Sequence, residues 1–474
     1  MAKAHKTRES KLAYLSQKQL PLEGFETPFS QKLNPDNRWV KMNRLIDWDK
    51  LVCSYNSKLK NQQTGASSIN PRVVIGSLII KHHCKLSDAE TVLQIQENMY
   101  MQYFLGFSSY SNEPPFDSSL FVEFRKRLSL NDVLELTERL TGVEPSTGED
   151  FTPDLDSATM KHQGDLLIDA TVCPQYIAYP TDLDLLNTSR EKTEALIDFL
   201  RQDLNLPAPR IYRANARKQY LRVAQSKRKT KQKIRTAIRQ QLQYLRRNIK
   251  YIHEYLDQYS TIPFKRKDYK DFLVLQTVYD QQSLMYYNKT HTVEDRIVSI
   301  SQPHVRPIVR GKKPRDTEFG AKINVSLVNG FAYIERLSWD AFNEGTEMLS
   351  CIINYVRRFK VLPKRVLADK IYCNRANRQM LKKYEIELRA KPLGRPGKAM
   401  SNHVSPGERN PIEGKFGEAK TRYGLGLIHA KLQSTSQTWI ALTILVLNLA
   451  NLSRRVLLYL YLYFIKKDNY HWAC

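Results

Sequence analysis

Closely spaced cysteine pairs are missing from this 474-residue sequence. Its cysteines are scattered, with no CxxC motif and no cluster of cysteine with histidine. Structural zinc sites and disulfide-bonded scaffolds both need such spacings, so neither is expected. A reducing, cytoplasmic compartment suits a chain of this kind. The six cysteines are Cys53, Cys84, Cys173, Cys351, Cys373 and Cys474.

Long hydrophobic runs are missing as well. Residues 1–11 are polar and basic with no apolar stretch behind them, so no secretory signal is expected. The most apolar region, residues 439–465, is interrupted by Asn448, Asn451 and Arg454. The remaining runs are shorter than the ~20 residues of a membrane span. The sequence therefore predicts buried helices here and no membrane partner.

The motifs of nucleophilic and ATP-dependent enzymes are also absent. The sequence contains no GxSxG motif and no Walker-type phosphate loop. Its histidines near basic or turn-rich segments have no paired spacing, which favours surface or core positions over metal ligation. These histidines are His291, His304, His403 and His429.

Acidic residues are missing from residues 206–250, where every charged side chain belongs to Lys or Arg. The whole chain has 74 basic and 48 acidic residues, a formal net charge of +26. This excess favours a polyanionic partner, and nucleic acid is the expected one. Because solvated helices usually mix both signs, the stretch predicts a phosphate-binding surface, although a merely soluble helix hairpin stays open. The predicted DNA contacts are Lys227, Arg228, Lys229, Lys231 and Lys233.

Residues 1–150 predict a mainly helical N-terminal domain. Pro71 opens an apolar segment, and Ser87 and Glu90 have the spacing of a capping box that starts the next helix. Short helices with tight turns suit a DNA-binding helix-turn-helix domain. A helical bundle used for packing or dimerisation fits the pattern equally well. The polar, turn-rich residues 141–164 predict a linker.

Residues 160–474 predict a mixed α/β domain. An apolar strand pattern at 166–168 is followed, after Gly320, by alternating strand residues and by the hairpin turn Asn329-Gly330. Further strands then alternate with amphipathic helices. Between the first strand and the rest, residues 186–300 predict a basic helical insertion. An apolar stripe within it predicts a helix that packs on the core or on a second protomer.

Asp169 and Asp369 each follow a short apolar strand, Leu-Leu-Ile-Asp and Val-Leu-Ala-Asp. Short carboxylate side chains at strand ends are held rigidly beside an open sheet edge. Taken singly, an aspartate in this place is more often a turn former or a helix cap. None of the neighbouring aspartates that compete with Asp169 ends an apolar run: Asp165, Asp182 and Asp184.

A third acid lies on a predicted C-terminal helix. Arg409, Glu413 and Lys420 are spaced by four and seven residues, so they share one helix face. Gly417 removes bulk at a point where a metal or a phosphate has to come close. The alternative is a solvated face with an Arg409–Glu413 ion pair. That alternative gives no reason for a mid-helix glycine, which costs about 1 kcal/mol.

Three carboxylates of this kind suit phosphodiester chemistry. Two divalent metals about 4 Å apart activate an attacking oxygen and stabilise a leaving one. Such metals are hard cations that prefer carboxylate oxygens and water. The sequence therefore predicts Asp169, Asp369 and Glu413 as catalytic residues.

Four segments resemble the bacterial insertion-sequence DDE transposases. RNPIEGKFGEAK at 409–420 resembles their third-acid region, GDLLIDAT at 164–171 their first-acid strand and LADKIY at 367–372 their second. GKKPRDTEFG at 311–320 resembles the basic approach to the second strand. The likeness runs from about residue 70 to about residue 455. One departure is Pro406, which stands where the family often has a tyrosine.

The resemblance implies an RNase H-like core in which Asp169, Asp369 and Glu413 hold Mg²⁺, with Mn²⁺ as a substitute. Arg409 and Lys420 would contact phosphates at the transposon end. The expected reaction hydrolyses one strand at the element's end and joins the freed 3′-hydroxyl to target DNA. The expected partners are double-stranded DNA and a second copy of the chain, in the cytoplasm of a bacterium and associated with its nucleoid.

Two other functions stay open at this point. One is a DNA-binding descendant that has lost catalysis, and the other is an RNase H-like nuclease or resolvase. Acids at all three positions weigh against the first. The large basic insertion and the N-terminal helices favour an enzyme that grips specific DNA ends over the second.

Overall fold

The computed structural model describes residues 32–56, 69–143, 160–309, 317–390 and 406–471. The predicted linker and the basic segment at 311–320 lie partly outside these residues. His403 and Cys474 lie wholly outside them.

The chain forms two compact units. The first comprises residues 1–173, 322–337 and 342–474, and the second comprises residues 174–321 and 338–341. In chain order the helices and strands are α1 (Arg38–Leu45), α2 (Trp48–Asn56), α3 (Pro71–Cys84), α4 (Asp88–Glu97), α5 (Met99–Phe104), α6 (Leu120–Arg127), α7 (Leu130–Leu140), β1 (Asp165–Pro174), α8 (Asp182–Asp203), α9 (Arg213–Ala224), α10 (Lys231–Leu256), α11 (Arg266–Asn288), β2 (Arg306–Val309), β3 (Thr317–Val328), β4 (Phe331–Ser338), α12 (Met348–Phe359), β5 (Arg365–Leu367), α13 (Arg375–Lys383), β6 (Glu387–Arg389), α14 (Pro406–Arg422) and α15 (Gln433–His471).

The sheet of the first unit pairs its strands in the order β4–β3–β1–β5–β6. β1 and β6 both run parallel to β5, which lies between them. β3 and β4 form the predicted hairpin: φ is 48° at Asn329 and 74° at Gly330, and a type I′ turn needs a positive φ at both positions. The predicted mixed α/β class is therefore confirmed.

The core of the first unit lies between this sheet and α12. Leu166 and Ile168 of β1 are fully buried and cluster with Ile352 and Val356 of α12. Because side chains alternate along a strand, Asp169 lies on the opposite face of β1 from these two apolar residues. The burial of one face thus fixes the direction of the carboxylate on the other.

The N-terminal helices follow local sequence signals closely. Asn70 caps α3, with its side chain accepting a hydrogen bond from Arg72 N, and Ser87 caps α4 through Glu90 N. The helix that Ser87 begins ends at Glu97. Asn98 interrupts it because its side chain accepts hydrogen bonds from the backbone N–H groups that begin α5.

Helices α8 to α11 form most of the second unit and follow β1 directly, as the predicted insertion does. The apolar stripe of α10 packs inside this unit. Leu242 and Leu245 cluster with Leu186 of α8, and Ile252 lies in a second cluster with Leu200. β2 pairs antiparallel with the first residues of β3.

Helix α15 contains the apolar C-terminal region. Within the described part of the chain, no helix has the length and hydropathy of a membrane span. The sequence predicts buried helices here, and Ile440, Leu442 and Val446 are fully buried.

Candidate active site

The pairing of β1 with β5 brings the first two predicted acids together. The parallel register places Leu166 beside Val366 and Leu167 beside Leu367. Asp169 and Asp369 each lie two residues beyond this pairing, and both carboxylates contact the same arginine, Arg409. The similar tetrapeptides that end in these aspartates therefore belong to neighbouring strands that lead to one site.

Asp169 lies inside β1 and does not end it. The strand continues to Pro174, so the expectation that it stops at the aspartate is wrong. The side chain is 17% exposed, and its Oδ1 accepts a hydrogen bond from Ala170 N at 2.8 Å. Burial raises the pKa of Asp169 to about 6, opposed by the Ala170 N–H and the Arg409 cation and reinforced by Glu344 and Asp369.

Asp369 leaves the sheet just beyond β5. It caps a 3₁₀ turn at Lys370–Tyr372, and its Oδ1 accepts a hydrogen bond from Lys370 N at 2.8 Å. Its side chain is 45% exposed, so this carboxylate faces an open edge while Asp169 lies deeper. One acidic pair thus combines a solvated and a largely buried carboxylate.

Arg409 of α14 joins the two aspartates. Its Nη1 lies 3.2 Å from Asp369 Oδ1, and its Nη2 lies 3.5 Å from Asp169 Oδ2. The guanidinium therefore pairs with these two carboxylates. The alternative of a solvated helix face had expected an ion pair between Arg409 and Glu413 instead. Its Nε is buried and has no hydrogen-bond partner among the described residues.

The other residues predicted on α14 lie on its open side. Glu413 is exposed, one turn after Arg409, and the structure records no contact between it and the two aspartates. A methyl group built on Gly414 or on Gly417 meets no atom within 4 Å. Lys420, about two turns after Glu413, lines a pocket that α14 shares with the N-terminal helices. Arg409 and the aspartates are thus assembled, while Glu413 faces open space.

Glu344 is an acidic residue near the site that sequence reasoning missed. It lies in a 3₁₀ turn, Glu344–Thr346, after β4, and its charge raises the pKa of Asp169. Lys322 Nζ pairs with its Oε1 at 2.8 Å. Gly345, next to it, allows the close approach of another turn, since a Cβ there would lie 2.7 Å from the backbone oxygen of Ile371.

Buried hydrogen bonds fix the turns that carry Glu344 and Asp369. Asn377 donates to the backbone oxygens of Gly345, at 2.7 Å, and Tyr372, at 2.9 Å. The Tyr372 hydroxyl donates to Asn324 Oδ1 at 2.9 Å. These bonds hold both turns against the sheet, so the acids are positioned by the fold and not by a flexible loop.

The aspartates that competed with Asp169 each have another partner. Asp165 forms a two-pronged pair with Arg365, with a 2.7 Å contact to its Nε. Asp182 pairs with Arg296 at 2.7 Å. Asp184 accepts hydrogen bonds from Thr181 and Tyr220 at the start of α8. Each is therefore accounted for by local structure.

A divalent cation fits the chemistry of the aspartate pair. Two carboxylates share one guanidinium, so one negative charge has no matching cation. Asp169 is also largely buried, and its pKa is raised. Carboxylate oxygens are the donors that hard cations prefer. Within the described residues, no three acidic, histidine or cysteine side chains are grouped as a metal site.

The predicted basic contacts lie in the second unit, around the turn between α9 and α10. All five are exposed. Lys231 and Lys233 occupy the first turn of α10, which contains no acidic residue. Cations are unfavourable at this end of a helix, so the sequence maintains a positive surface here against the helix dipole.

Two segments match known families. Residues 27–127 match a family described as a transposase domain, and residues 366–450 match one described as a transposase DDE domain. The second segment contains Asp369, Arg409, Glu413 and Lys420. Asp169 lies between the two segments.

A curated relative and the solved structures add less. A protein of Rhizobium meliloti described as uncharacterized protein ORF8 in the nfe locus is 29% identical over 150 residues. The matched region covers 32% of this chain and 68% of that protein. No solved structure matches the chain significantly.

Proposed function

The two family matches together indicate an insertion-sequence DDE transposase, and from this premise we propose that the protein cleaves transposon ends by metal-dependent hydrolysis and joins the 3′-hydroxyl to target DNA. The observation that carries the proposal is the pair of Asp169, in β1, and Asp369, just beyond the parallel neighbour β5, which Arg409 joins. The strand order β4–β3–β1–β5–β6 supports an RNase H-like core around it.

Asp169, Asp369 and Glu413 are the proposed ligands of Mg²⁺, for which Mn²⁺ would substitute. When bound, the metal would lower the pKa of an attacking water and stabilise charge on the leaving oxygen. The two aspartates already lie together. Glu413 shares the helix and the face of Arg409, so it is the acid that this helix can present to the same site.

Arg409 has two roles in this proposal. Its guanidinium neutralises the two aspartates and keeps them in place in the free protein. A guanidinium also suits the oxygens of a phosphate, which it can contact through two parallel N–H groups. Arg409 therefore exchanges carboxylate contacts for phosphate contacts when DNA is bound.

The reaction itself is a pair of displacements at phosphorus. In hydrolysis, water forms the new phosphorus–oxygen bond, the bond to the 3′ oxygen breaks, and that oxygen takes up a proton. In joining, the freed 3′-hydroxyl loses its proton and forms a bond to a target phosphorus, the bond from that phosphorus to its 3′ oxygen breaks, and the released oxygen takes up a proton. Both steps develop negative charge beside the same carboxylates, which is why the site needs cations.

The rest of the chain would bind the DNA and hold it at the active site. We assign residues 1–150 to a DNA-binding domain, residues 160–474 to the catalytic domain and residues 186–300 to a basic insertion within it. The exposed cations at 227–233 would follow the phosphates of double-stranded DNA. Two ends have to be paired for insertion, which favours a homodimer on DNA.

The test is strand cleavage of DNA that carries the gene's own flanking ends. Wild type is compared with Asp369→Asn, each with Mg²⁺ and with EDTA. Cleavage is expected only for wild type with the metal, and the substitution should lower it by about a thousandfold or more. Asp257→Asn, at an exposed position at the end of α10, is the matched control and should cleave normally.

Other outcomes separate the alternatives. Tight, salt-sensitive binding of the ends without cleavage by wild type would favour an inactive DNA-binding descendant. Cleavage that needs Asp369 but ignores the end sequence would favour an RNase H-like nuclease. Metal-independent cleavage would contradict the proposed site itself.

A further inference from the structure

A cavity of about 950 Å³ lies in the first unit, between the N-terminal helices and the α14–α15 region. We call it the α3–α14 pocket and define it by Lys81, Lys85, Arg125, Lys420, Leu427 and Trp439. It lies outside the carboxylate site, and the sequence predicted no binding role for any of its N-terminal residues. Its volume is ample for a nucleotide.

Positive charge dominates the walls of the α3–α14 pocket. Four cations line it, on Lys81, Lys85, Arg125 and Lys420, against one carboxylate, on Asp88. His82 also lines it but adds no charge, because burial lowers its pKa to about 3. A cavity with three surplus positive charges attracts an anion.

The deepest cations are held rigidly. The side chains of Lys81 and Arg125 are only 4% and 6% exposed, and both pair with Asp88. Both also lie over the ring of Trp439, and Lys81 Nζ donates to the backbone oxygen of Leu86 at 2.7 Å. Charges fixed in this way stabilise a bound anion without losing side-chain entropy when it binds.

One buried polar atom of the pocket has no partner. His82 is 2% exposed, and among the described residues its Nε2 makes no hydrogen bond. Its Nδ1 lies 3.5 Å from the Thr443 hydroxyl. An orphaned nitrogen beside two buried cations is costly unless something else satisfies it.

The position of Lys420 indicates which anion this is. Lys420 follows Glu413 by seven residues on the same helix face, a separation of about 10 Å along the axis. Along the axis of a duplex, that length equals roughly three nucleotide steps of about 3.4 Å. A duplex that runs along α14 with its reacting phosphate at Glu413 would therefore place a phosphate about three nucleotides away at the mouth of this pocket.

We propose that the α3–α14 pocket binds a phosphate group of a DNA strand, with the attached sugar or base against its apolar wall at Leu427. The choice of DNA as the source of the phosphate rests on the proposed function. The pocket then links the N-terminal helices to the catalytic helix through the strand that both contact.

The test reverses one charge in the pocket. Lys85 is suitable because its Nζ has one recorded contact, 3.2 Å from the backbone oxygen of Thr421, so Lys85→Glu should fold. Lys126→Glu is the matched control: it makes the same charge change on α6, outside the pocket. Binding of a labelled duplex and of a labelled single strand is measured by fluorescence anisotropy over a range of salt, in EDTA. Thermal melting of both variants checks the fold.

Lys85→Glu should weaken DNA binding about tenfold and lower the salt slope of the binding constant by about 0.9 for duplex or 0.7 for single strand. Lys126→Glu should change affinity less than about twofold. Lys85→Gln should fall between wild type and Lys85→Glu. Equal losses for Lys85→Glu and Lys126→Glu would overturn the proposal, since general surface charge would then explain the effect.

Two competitors identify the source of the phosphate. Inorganic phosphate should displace the labelled DNA only weakly, and a deoxynucleoside monophosphate should do so more strongly but less well than an oligonucleotide. If the monophosphate binds as tightly as the oligonucleotide and depends on Lys85 equally, the pocket is a mononucleotide site and the proposal of a DNA strand fails. Because EDTA prevents cleavage, these results are independent of the Asp369→Asn experiment on catalysis.

Discussion

Arg358 in the first unit and the basic run at 227–233 in the second show two opposite ways of using positive charge. Arg358 is 6% exposed and lies between Glu138 and Glu335, at 2.7 and 2.5 Å. The cations of the basic run are exposed, and no acidic residue lies between 206 and 250. Buried, paired charges specify one geometry, whereas exposed and unmatched charges leave attraction for a partner.

The buried and the exposed cations have different roles in the protein. Glu138 belongs to α7, Glu335 to β4 and Arg358 to α12, so their pairs fasten the N-terminal helices to the sheet that carries Asp169. The basic run contributes no comparable pairs to the second unit. We expect damage to the first set to appear in stability, and damage to the second set to appear in DNA binding.

The largest effect should come from Arg358→Ala. It leaves the buried Glu335 without its cation, while Glu138 keeps its pair with Arg357 at 2.6 Å. Breaking a buried pair in this way typically costs about 4 kcal/mol in the free energy of unfolding. Urea unfolding of the full chain, followed by a signal from the first unit, measures it. Arg239→Ala on the exposed side of α10 is the control and should change stability by less than about 0.5 kcal/mol. A small effect of Arg358→Ala would contradict the view that the buried ion pairs stabilise the first unit.

The next effect should come from replacing Lys227, Arg228 and Lys229 together by glutamine. If each contacts a phosphate, the salt slope for duplex binding should fall by nearly 3, with an affinity loss of about a hundredfold. Stability should hardly change, because these side chains are exposed. The measurement is anisotropy of labelled duplex over a range of salt.

A second basic run provides the matched control for that substitution. Lys265, Arg266 and Lys267 are also exposed in the second unit, but Asp268 follows them. Glutamine at these three positions should weaken binding far less. Equal losses at 227–229 and 265–267 would show that net charge, and not this surface, attracts the DNA.

Asp169 gives a smaller effect that depends on pH. Its pKa of about 6 in the folded protein lies above the usual 3.8, so folding favours the protonated form. The stabilisation is therefore complete below about pH 4 and is lost as pH rises through 6, by roughly 3 kcal/mol. Asp169→Asn should remove this trend, as urea unfolding in EDTA between pH 4 and 7 would reveal. The same pH dependence in wild type and in Asp169→Asn would show that a group other than Asp169 causes the trend.

Local patterns predicted much of the fold because the forces behind them act locally. Asn329-Gly330 fixes a hairpin through backbone conformation, and Asn70 and Ser87 fix helix starts through single hydrogen bonds. The predicted end of β1 at Asp169 was wrong because it depended on a local preference alone. Aspartate usually ends a strand, but here pairing with β5 and burial of Leu166 override that local preference.

The long-range partners in the site had no sequence signal. Asp169 and Asp369 were found as a pair because both follow an apolar tetrapeptide pattern. Glu344 was missed because it approaches Asp169 only through the fold, 175 residues away in the chain. The burial of Arg358 between two glutamates likewise depends on α7 and β4, which no local pattern relates.

The smallest effect tests why α14 contains Gly417. A Cβ at this position meets no atom within 4 Å, so Gly417→Ala should stabilise the helix by about 1 kcal/mol. A glycine kept at that cost on the open side of the helix that carries Glu413 suggests close approach by a phosphate. We therefore expect Gly417→Ala to unfold at higher urea concentration and yet to bind and cleave transposon ends several-fold less well. Higher stability with unchanged binding and cleavage would mean that the open face of α14 does not contact DNA at this residue, and would move the proposed contact towards Lys420.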